Sequence, residues 1–327
     1  MEFKESEVPL MEVIAIGETM VQFTPEENGL MRHAASFVSH VAGAETTTLI
    51  GLARLGHRTG WISNLGEDEF GAQILMTVRG EGIDTSQVNI DASSRTGTFF
   101  KEIIREDEVR ISYYRDNSAA SKLKPHQIEE SYLANARYLY ITGITPALSK
   151  SAKQTIFHAM EIAKKRGVKI VFDPNLRRKL WSEEEARDTL LKVAEMADIV
   201  VPGKSEGQFL FGTENPEQIA ESFLSLGAGL VVVKLGEDGA YYKSLKEKGY
   251  INGFKVPQLV DPVGAGDSFA AGLLSGLLDQ LSISKAVERA CGMGALTVAV
   301  KGDYEGLPDR KRLEQFMDQE KNEDISR

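Results

Sequence analysis

The sequence predicts an α/β protein: a three-layer α/β/α core with a mostly parallel central sheet and a small antiparallel β lid. Short β-branched apolar runs recur along the 327 residues with helical stretches between them, and such alternation implies right-handed βαβ units. The runs close on glycine or a polar residue, the composition of strand ends that face a site. Two segments, 18–41 and 96–118, break the alternation and read as strands and turns without a helix.

In chain order the runs are Val13 to Ile16, Trp61 to Ser63, Tyr138 to Thr142, Val168 to Phe172, Ile199 to Val201 and Leu230 to Val233. They are closed by residues such as Gly17, Gly143, Asp173, Gly203 and Gly236. Ligands of open parallel sheets gather at the carboxyl ends of the strands, so a site is expected there. The second interrupting segment contains Gly97-Thr98-Phe99-Phe100 and Arg110-Ile111-Ser112-Tyr113-Tyr114-Arg115. A lid is the natural use for a small sheet inserted into such a core; two ordinary surface hairpins are the competing reading. The main domain is expected over residues 11–310, after a polar N-terminal extension, 1–10. Residues 311–327 are dense in charge and read as a solvated helix or frayed tail.

Composition narrows the function. With 42% hydrophobic and 26% charged residues, disorder, collagen and coiled coil are excluded as whole-chain readings. Thirty glycines against ten prolines suit many tight strand-to-helix connections. The formal charge of −10 and the lack of a basic stripe argue against a nucleic-acid partner. Cys291 is the single cysteine and the five histidines are scattered, so neither a disulfide nor a zinc site is expected. The N-terminus has no basic and apolar leader pattern, and no apolar run approaches the roughly 18 residues of a membrane span. A cytoplasmic protein with no membrane partner is expected.

The sharpest motif is Asp261-Pro262-Val263-Gly264-Ala265-Gly266-Asp267-Ser268-Phe269, followed by apolar residues at 270, 273, 274, 277, 278 and 281. That spacing is helical, so the glycines sit at a helix N-terminus, where free N–H groups and the helix dipole form an anion site. A carboxylate beside an anion hole suggests phosphoryl transfer to a hydroxyl. Asp267 would accept the proton of the attacking oxygen, while Gly264, Ala265 and Gly266 neutralise charge on the transferred group. The alternative is a tight turn capped by Asp267. No Gly-x-x-x-x-Gly-Lys-Ser/Thr stretch is present, and Ile16-Gly17-Glu18-Thr19-Met20 lacks the glycines of a dinucleotide fold.

From Val13 to Pro308 the chain resembles the ribokinase-like (PfkB) family of carbohydrate kinases. Asp261 to Asp267 is similar to the family's C-terminal signature, whose last aspartate is the catalytic base. Ala42-Gly43-Ala44-Glu45, the helix to Leu55-Gly56, and Gly66-Glu67-Asp68-Glu69-Phe70-Gly71 resemble its N-terminal signature region. Val233-Lys234-Leu235-Gly236-Glu237-Asp238-Gly239-Ala240 resembles the strand and turn that meet the nucleotide phosphates. The resemblance implies ATP and Mg2+, with K+ as a further ion found in some relatives. It directs Lys234, Gly236, Gly239, Gly264, Gly266 and Asn175 to the nucleotide, Glu206 to magnesium through water, and Asp261 to a monovalent cation. Gly43 would contact the substrate. The family usually has Gly-Gly where this chain has Ala42-Gly43, and asparagine where it has Thr47 and Gly203; a threonine cannot both donate and accept as an amide does.

Ile141-Thr142-Gly143-Ile144-Thr145-Pro146-Ala147-Leu148-Ser149, Tyr113-Tyr114-Arg115, Asp173-Pro174-Asn175-Leu176-Arg177 through Leu180-Trp181, and Lys301-Gly302-Asp303-Tyr304-Glu305-Gly306 resemble the branch of the family that acts on 2-keto-3-deoxygluconate. That branch phosphorylates the terminal hydroxyl to give 2-keto-3-deoxy-6-phosphogluconate. Its substrate carries a carboxylate, for which arginine supplies a planar two-donor match. Arg115 with Tyr113 is the candidate clamp, against a solvated strand-edge arginine. Arg177 would serve substrate and transferring phosphate, or bridge two loops. Asp303 would bond a distal hydroxyl and Asn175 would face the phosphates, or either is an ordinary turn residue. Phe99, without a hydroxyl, offers packing alone. The alternatives are a fructokinase or other neutral-sugar kinase and, from another class, a non-catalytic ligand sensor or nucleoside-binding protein. Apolar lid edges favour a homo-oligomer formed through the lid.

Overall fold

The computed structural model describes residues 11–105, 108–256 and 258–325, with side chains as far as residue 318. The extension expected over 1–10 lies outside the described residues. The strands are β1 (Val13–Ile16), β2 (Met20–Pro25), β3 (Phe37–Ala42), β4 (Thr59–Gly66), β5 (Asp84–Asp91), β6 (Thr98–Arg105), β7 (Glu108–Tyr114), β8 (Tyr138–Thr142), β9 (Lys169–Asp173), β10 (Ile199–Val200), β11 (Leu230–Lys234), β12 (Ala240–Ser244) and β13 (Lys248–Ile251).

Nine of them form one sheet in the order β13-β12-β11-β10-β9-β8-β1-β4-β5. From β11 to β5 every pairing is parallel, and only β12 and β13 run antiparallel at one edge. Alternate side chains of β1 serve opposite layers: Val13 and Ala15 join one core, Ile14 and Ile16 the other. A strand buried on both faces therefore reads as a continuous apolar run, as it does in the sequence. One layer is built on helices Ala44–Arg54, Glu69–Gly80, Ala265–Leu278 and Ile283–Thr297, and the other on Lys150–Arg166, Glu183–Met196, Lys204–Phe211 and Pro216–Ser225. Ser149, Ser182 and Ser282 cap helix starts by accepting from the N–H three residues on. Among the described residues no helix is long and apolar enough to cross a membrane.

The two interrupting segments pair with each other as a second sheet, β3-β2-β6-β7. It consists of two antiparallel hairpins, β2–β3 and β6–β7, joined along a parallel β2–β6 seam. The hairpins thus form one unit. A row of residues, His40, Gln22, Phe99 and Tyr113, crosses all four strands. Its face turns toward the core: His40 Nδ1 lies 2.8 Å from Glu305 Oε1. On the opposite face the rings of Phe23, Phe37 and Tyr114 all touch Phe100.

The charged C-terminal segment is a helix, Arg310–Ile325, and one side of it is not solvated. Leu313 is 2% exposed, and Phe316 and Met317 pack against the same core. Positions 313, 316 and 317 share one helical stripe, which the charge density of the segment hides. Leu313→Ala should therefore cost about 2–5 kcal/mol, the usual range for a buried leucine. Urea unfolding checks this, and a change below about 0.5 kcal/mol, the range of ordinary surface substitutions, would return the helix to the status of a solvated tail.

Candidate active site

The ends of β9 and β11 face the N-terminus of helix Ala265–Leu278. Gly264 caps that helix at φ 77°, and a Cβ there would lie 2.2 Å from the carbonyl oxygen of Asp303. Both its conformation and its close approach require glycine. The Ala265 N–H donates to the Pro262 carbonyl at 3.4 Å and the Ser268 N–H to the Gly264 carbonyl at 2.8 Å. Among the described residues this leaves the amides of Gly264, Gly266 and Asp267 without an acceptor. A Cβ at Gly266 would meet only Lys234 Nζ, at 3.5 Å. Gly266 therefore borders open space between free amides and an ammonium group, which is a cradle for an anion. Of the three loop residues expected to supply amides, Ala265 spends its own within the turn.

Asp173, at the end of β9, is fully buried and accepts from Lys234 Nζ. Asn175 holds a left-handed φ of 35°. Its N–H donates to Asp173 Oδ1 at 3.1 Å, and its side-chain amide reaches Asp267 Oδ1 at 3.4 Å. Asn175 thus bridges the two carboxylates. Burial, and then the nearby Asp173, push the Asp267 carboxyl well above the usual carboxylate range against the pull of Arg177 and Lys234. Burial raises Asp173 too, although Lys234 opposes this. For Lys234 burial works against the charge, but Asp173 and Glu206 outweigh it and hold the ammonium above its ordinary value. Arg177 is exposed and its guanidinium makes no hydrogen bond among the described residues; its charge acts on both Asp267 and Asp303.

Glu206 has a local task as well. Its Oε2 accepts from the Gly203 N–H at 2.9 Å and its Oε1 from the Leu176 N–H at 3.4 Å. A Cβ at Gly203 would lie 2.7 Å from Oε2, so the glycine lets this carboxylate fold back over the helix start. Oε2 accepts from the Ser205 hydroxyl as well, at 3.2 Å, so Oε1 is the oxygen that keeps a lone pair for water. Among the described residues no group of three His, Cys, Asp or Glu side chains could cage a metal.

On the lid side Arg115 is 6% exposed, so it is not a solvated strand-edge residue. Its Nε donates to Glu18 Oε2 at 2.7 Å, and its guanidinium lies 5.4 Å from the centre of the Tyr113 ring. Ser118 donates to the other oxygen of Glu18. Phe99 packs against Tyr113 with ring centres 5.5 Å apart. Gly43 opens helix Ala44–Arg54, and a Cβ on it would crowd Thr19 Oγ1 at 2.8 Å. Asp303 is 9% exposed and its Oδ1 has no partner. Burial pushes its carboxyl up to about 7, with Lys101 pulling down and Glu305 and Asp261 pushing up. A buried acceptor left unpaired is expensive unless a ligand pairs it.

Asp261 is paired from within the chain: its Oδ2 accepts from Lys101 Nζ at 2.6 Å and its Oδ1 from the Val263 N–H at 3.2 Å. Gly236, at φ 69°, has open space beside it, whereas a Cβ at Gly239 would lie 2.1 Å from the Ile251 carbonyl; Gly239 is demanded by strand packing. Sequence reasoning missed Glu18, Glu45, Lys101 and Asp173 as site residues. Glu45 Oε1 accepts from the Thr142 and Thr145 hydroxyls at 2.7 and 2.9 Å, and its carboxylate fills the space a side chain at Gly17 would need. Lys101 had one signal, its position two residues after Phe99 on the inward face of a strand.

Residues 11–310 match the model of the pfkB family carbohydrate kinases. The chain is 40% identical over 309 residues to a 2-dehydro-3-deoxygluconokinase of Bacillus subtilis (strain 168), covering 94% of this chain and 95% of that one. It is 32% identical to fructokinase-1 of Oryza sativa subsp. japonica, covering 94% and 97%. Among solved structures, a PfkB protein from Polaromonas sp. JS666 superposes with a TM-score of 0.86 at 42% identity, over 93% of this chain and 99% of that one. A fructokinase from Vibrio cholerae O395 with fructose, ADP and calcium bound gives 0.84 at 28% identity, over 94% and 99%. With an anion cradle and a carboxylate at one helix start, under a lid, the chain belongs to the pfkB family of carbohydrate kinases and is an ATP-dependent sugar kinase.

Proposed function

We propose that the acceptor is 2-keto-3-deoxygluconate (2-dehydro-3-deoxygluconate) and that its terminal hydroxyl receives the γ-phosphoryl group of ATP. The observation that carries this reading is the buried guanidinium of Arg115 beside Tyr113 on the inward face of the lid. Glu18 meets one edge of that guanidinium, through Nε and Nη2, and among the described residues Nη1 is left as the donor for a substrate carboxylate. The reading is supported also by Asp303, whose unpaired buried oxygen suits a distal hydroxyl, and by the 40% identity to the Bacillus kinase.

In this mechanism Asp267 takes the proton of the attacking hydroxyl as the bond from oxygen to phosphorus forms, and ADP leaves with the electrons of the broken bond. The Gly266 and Asp267 amides, Lys234 and Arg177 neutralise the phosphoryl oxygens. Asn175 orients the Asp267 carboxylate, and Gly236 lies by the phosphates. The donor set fits a magnesium ion carried on the nucleotide, because Asp173, Glu206 and Asp267 outnumber Lys234 and Arg177; Glu206 would hold it through water, and when bound it supplies charge neutralisation at the phosphates. Exposed Phe37 and Tyr114 on the outer lid face support self-association through the lid.

Asp267→Asn keeps the shape and removes the charge, so kcat should fall by about two to four orders of magnitude while melting temperature and ATP binding are retained. More than a tenth of wild-type turnover would remove Asp267 from the role of base.

Wild type should favour the sugar acid over fructose by at least about tenfold in kcat/KM, since ~1.4 kcal/mol of differential binding gives that ratio. ADP release measured on both acceptors decides this. Arg115→Met alone would leave Glu18 buried and unpaired, at about 3–5 kcal/mol. The double variant Arg115→Met with Glu18→Gln removes both charges together, and with it the preference should shrink to within about threefold. Equal losses on both acceptors would make the pair a lid support. A wild type that favours fructose would leave the fructokinase reading.

A further inference from the structure

Asp261 begins the loop that ends in the anion cradle, and the residue is 5% exposed. A buried carboxylate beside the position of a nucleotide phosphate needs a counter-cation, because two uncompensated negative charges in a low-dielectric setting repel strongly. In this chain the cation is covalent. Lys101 Nζ lies 2.6 Å from Asp261 Oδ2, and Lys101 is itself 4% exposed. The remaining contacts of the carboxylate are the N–H groups of Val263, at 3.2 Å to Oδ1, and Gly302, at 3.3 Å to Oδ2. The ammonium already holds the counter-ion position at Oδ2 and neutralises the carboxylate, so the residues present do not fit a second, monovalent cation there.

We propose that the Lys101 ammonium is a built-in monovalent cation for the anion cradle, so that this kinase turns over without potassium. Lys101 is a positioning residue: it acts through Asp261 on the loop 261–264. It also differs from a free ion in one respect. It is carried by β6, a lid strand, opposite Ile111 of β7, whereas Asp261 belongs to the core. A free potassium ion would neutralise the loop whatever the lid does; a lysine on the lid neutralises it only while the lid is seated. Completion of the anion cradle and docking of the lid are therefore one event, a link between acceptor enclosure and phosphate binding.

The test compares wild type and Lys101→Met in tetramethylammonium buffer with added potassium, ammonium or lithium chloride, reading ADP release and melting temperature. Wild-type turnover should change by less than about twofold with potassium, and its melting temperature should respond equally to the three salts, since only nonspecific screening acts. Lys101→Met should lose at least about tenfold in turnover without potassium, as expected for an uncompensated buried charge, and regain part of it with potassium or ammonium but not lithium. Its melting temperature should rise with the same two ions. Activation of wild type by potassium of about tenfold or more would overturn the proposal, and so would a folded Lys101→Met variant that neither ion rescues. The wild-type arms need no variant, so they decide the matter if Lys101→Met does not fold. The melting arm needs no acceptor, so a mistaken acceptor and a mistaken role for Lys101 give different results.

Discussion

The carbonyl oxygen of Asp303 lies 2.2 Å from where a side chain at Gly264 would begin, and most of the site hangs on that approach. A glycine in the left-handed region at the helix start lets the chain turn sharply from loop into helix. The turn leaves the Gly266 and Asp267 amides free and puts the Asp267 carboxylate in the first helical turn. The same contact brings the loop 301–306 against the loop 261–264, and with it the unpaired oxygen of Asp303. Through Asp261, which accepts from the Gly302 N–H and from Lys101, the junction reaches the lid. The proposed base, the anion cradle, the proposed acceptor contact and the lid anchor are thus set by one backbone conformation.

Charge sets the second constraint. Asp173, Glu206 and Asp267 converge on Lys234, and like charges about 4 Å apart near a protein surface repel by ~4 kcal/mol. Burial first, and then the repulsion from Asp173, raises the Asp267 carboxyl well above the usual carboxylate range, toward that of a useful base. The cost is an excess of negative charge where a phosphate must enter. Arg177, exposed and without a hydrogen-bond partner among the described residues, and the free amides of the loop are the groups left to offset it. The same economy appears on the lid, where Glu18 holds Arg115 in a buried, pre-set orientation.

The fold was legible wherever burial dictates the sequence. Strands β1, β8 and β11 are covered on both faces, so they read as unbroken apolar runs. By contrast β5 and the hairpin β12–β13 lie at sheet edges, where mixed polar sequence carries no such signal. The glycine-rich loop and Asp267 were legible because their chemistry is local, a helix start with a carboxylate. Pairings such as Arg115 with Glu18, 97 residues apart, and Lys101 with Asp261, 160 apart, were not. Periodicity can assign each of these residues to a face, yet only the register of β2 against β6 decides what the face meets. For the same reason Gly17 and Gly239 looked like ligand-facing glycines, while in the folded chain one makes room for Glu45 and the other for the Ile251 carbonyl.

The central claim is that Asp267, raised by burial and by Asp173, is the base beside the anion cradle. It is tested most directly by the pH dependence of kcat/KM for the acceptor at saturating ATP, which reports the groups of the enzyme before the acceptor binds. A base with a raised carboxyl is protonated, and idle, at pH values where an ordinary aspartate is already charged. The account predicts that kcat/KM falls as pH drops through a value well above 3.8, the ordinary aspartate value. Burial pushes the native Asp303 carboxyl up to about 7, so the limb should persist when that group is removed in Asp303→Asn, and be absent from the residual activity of Asp267→Asn. A profile flat down to the ordinary carboxylate range, or a limb that survives in Asp267→Asn, would contradict it.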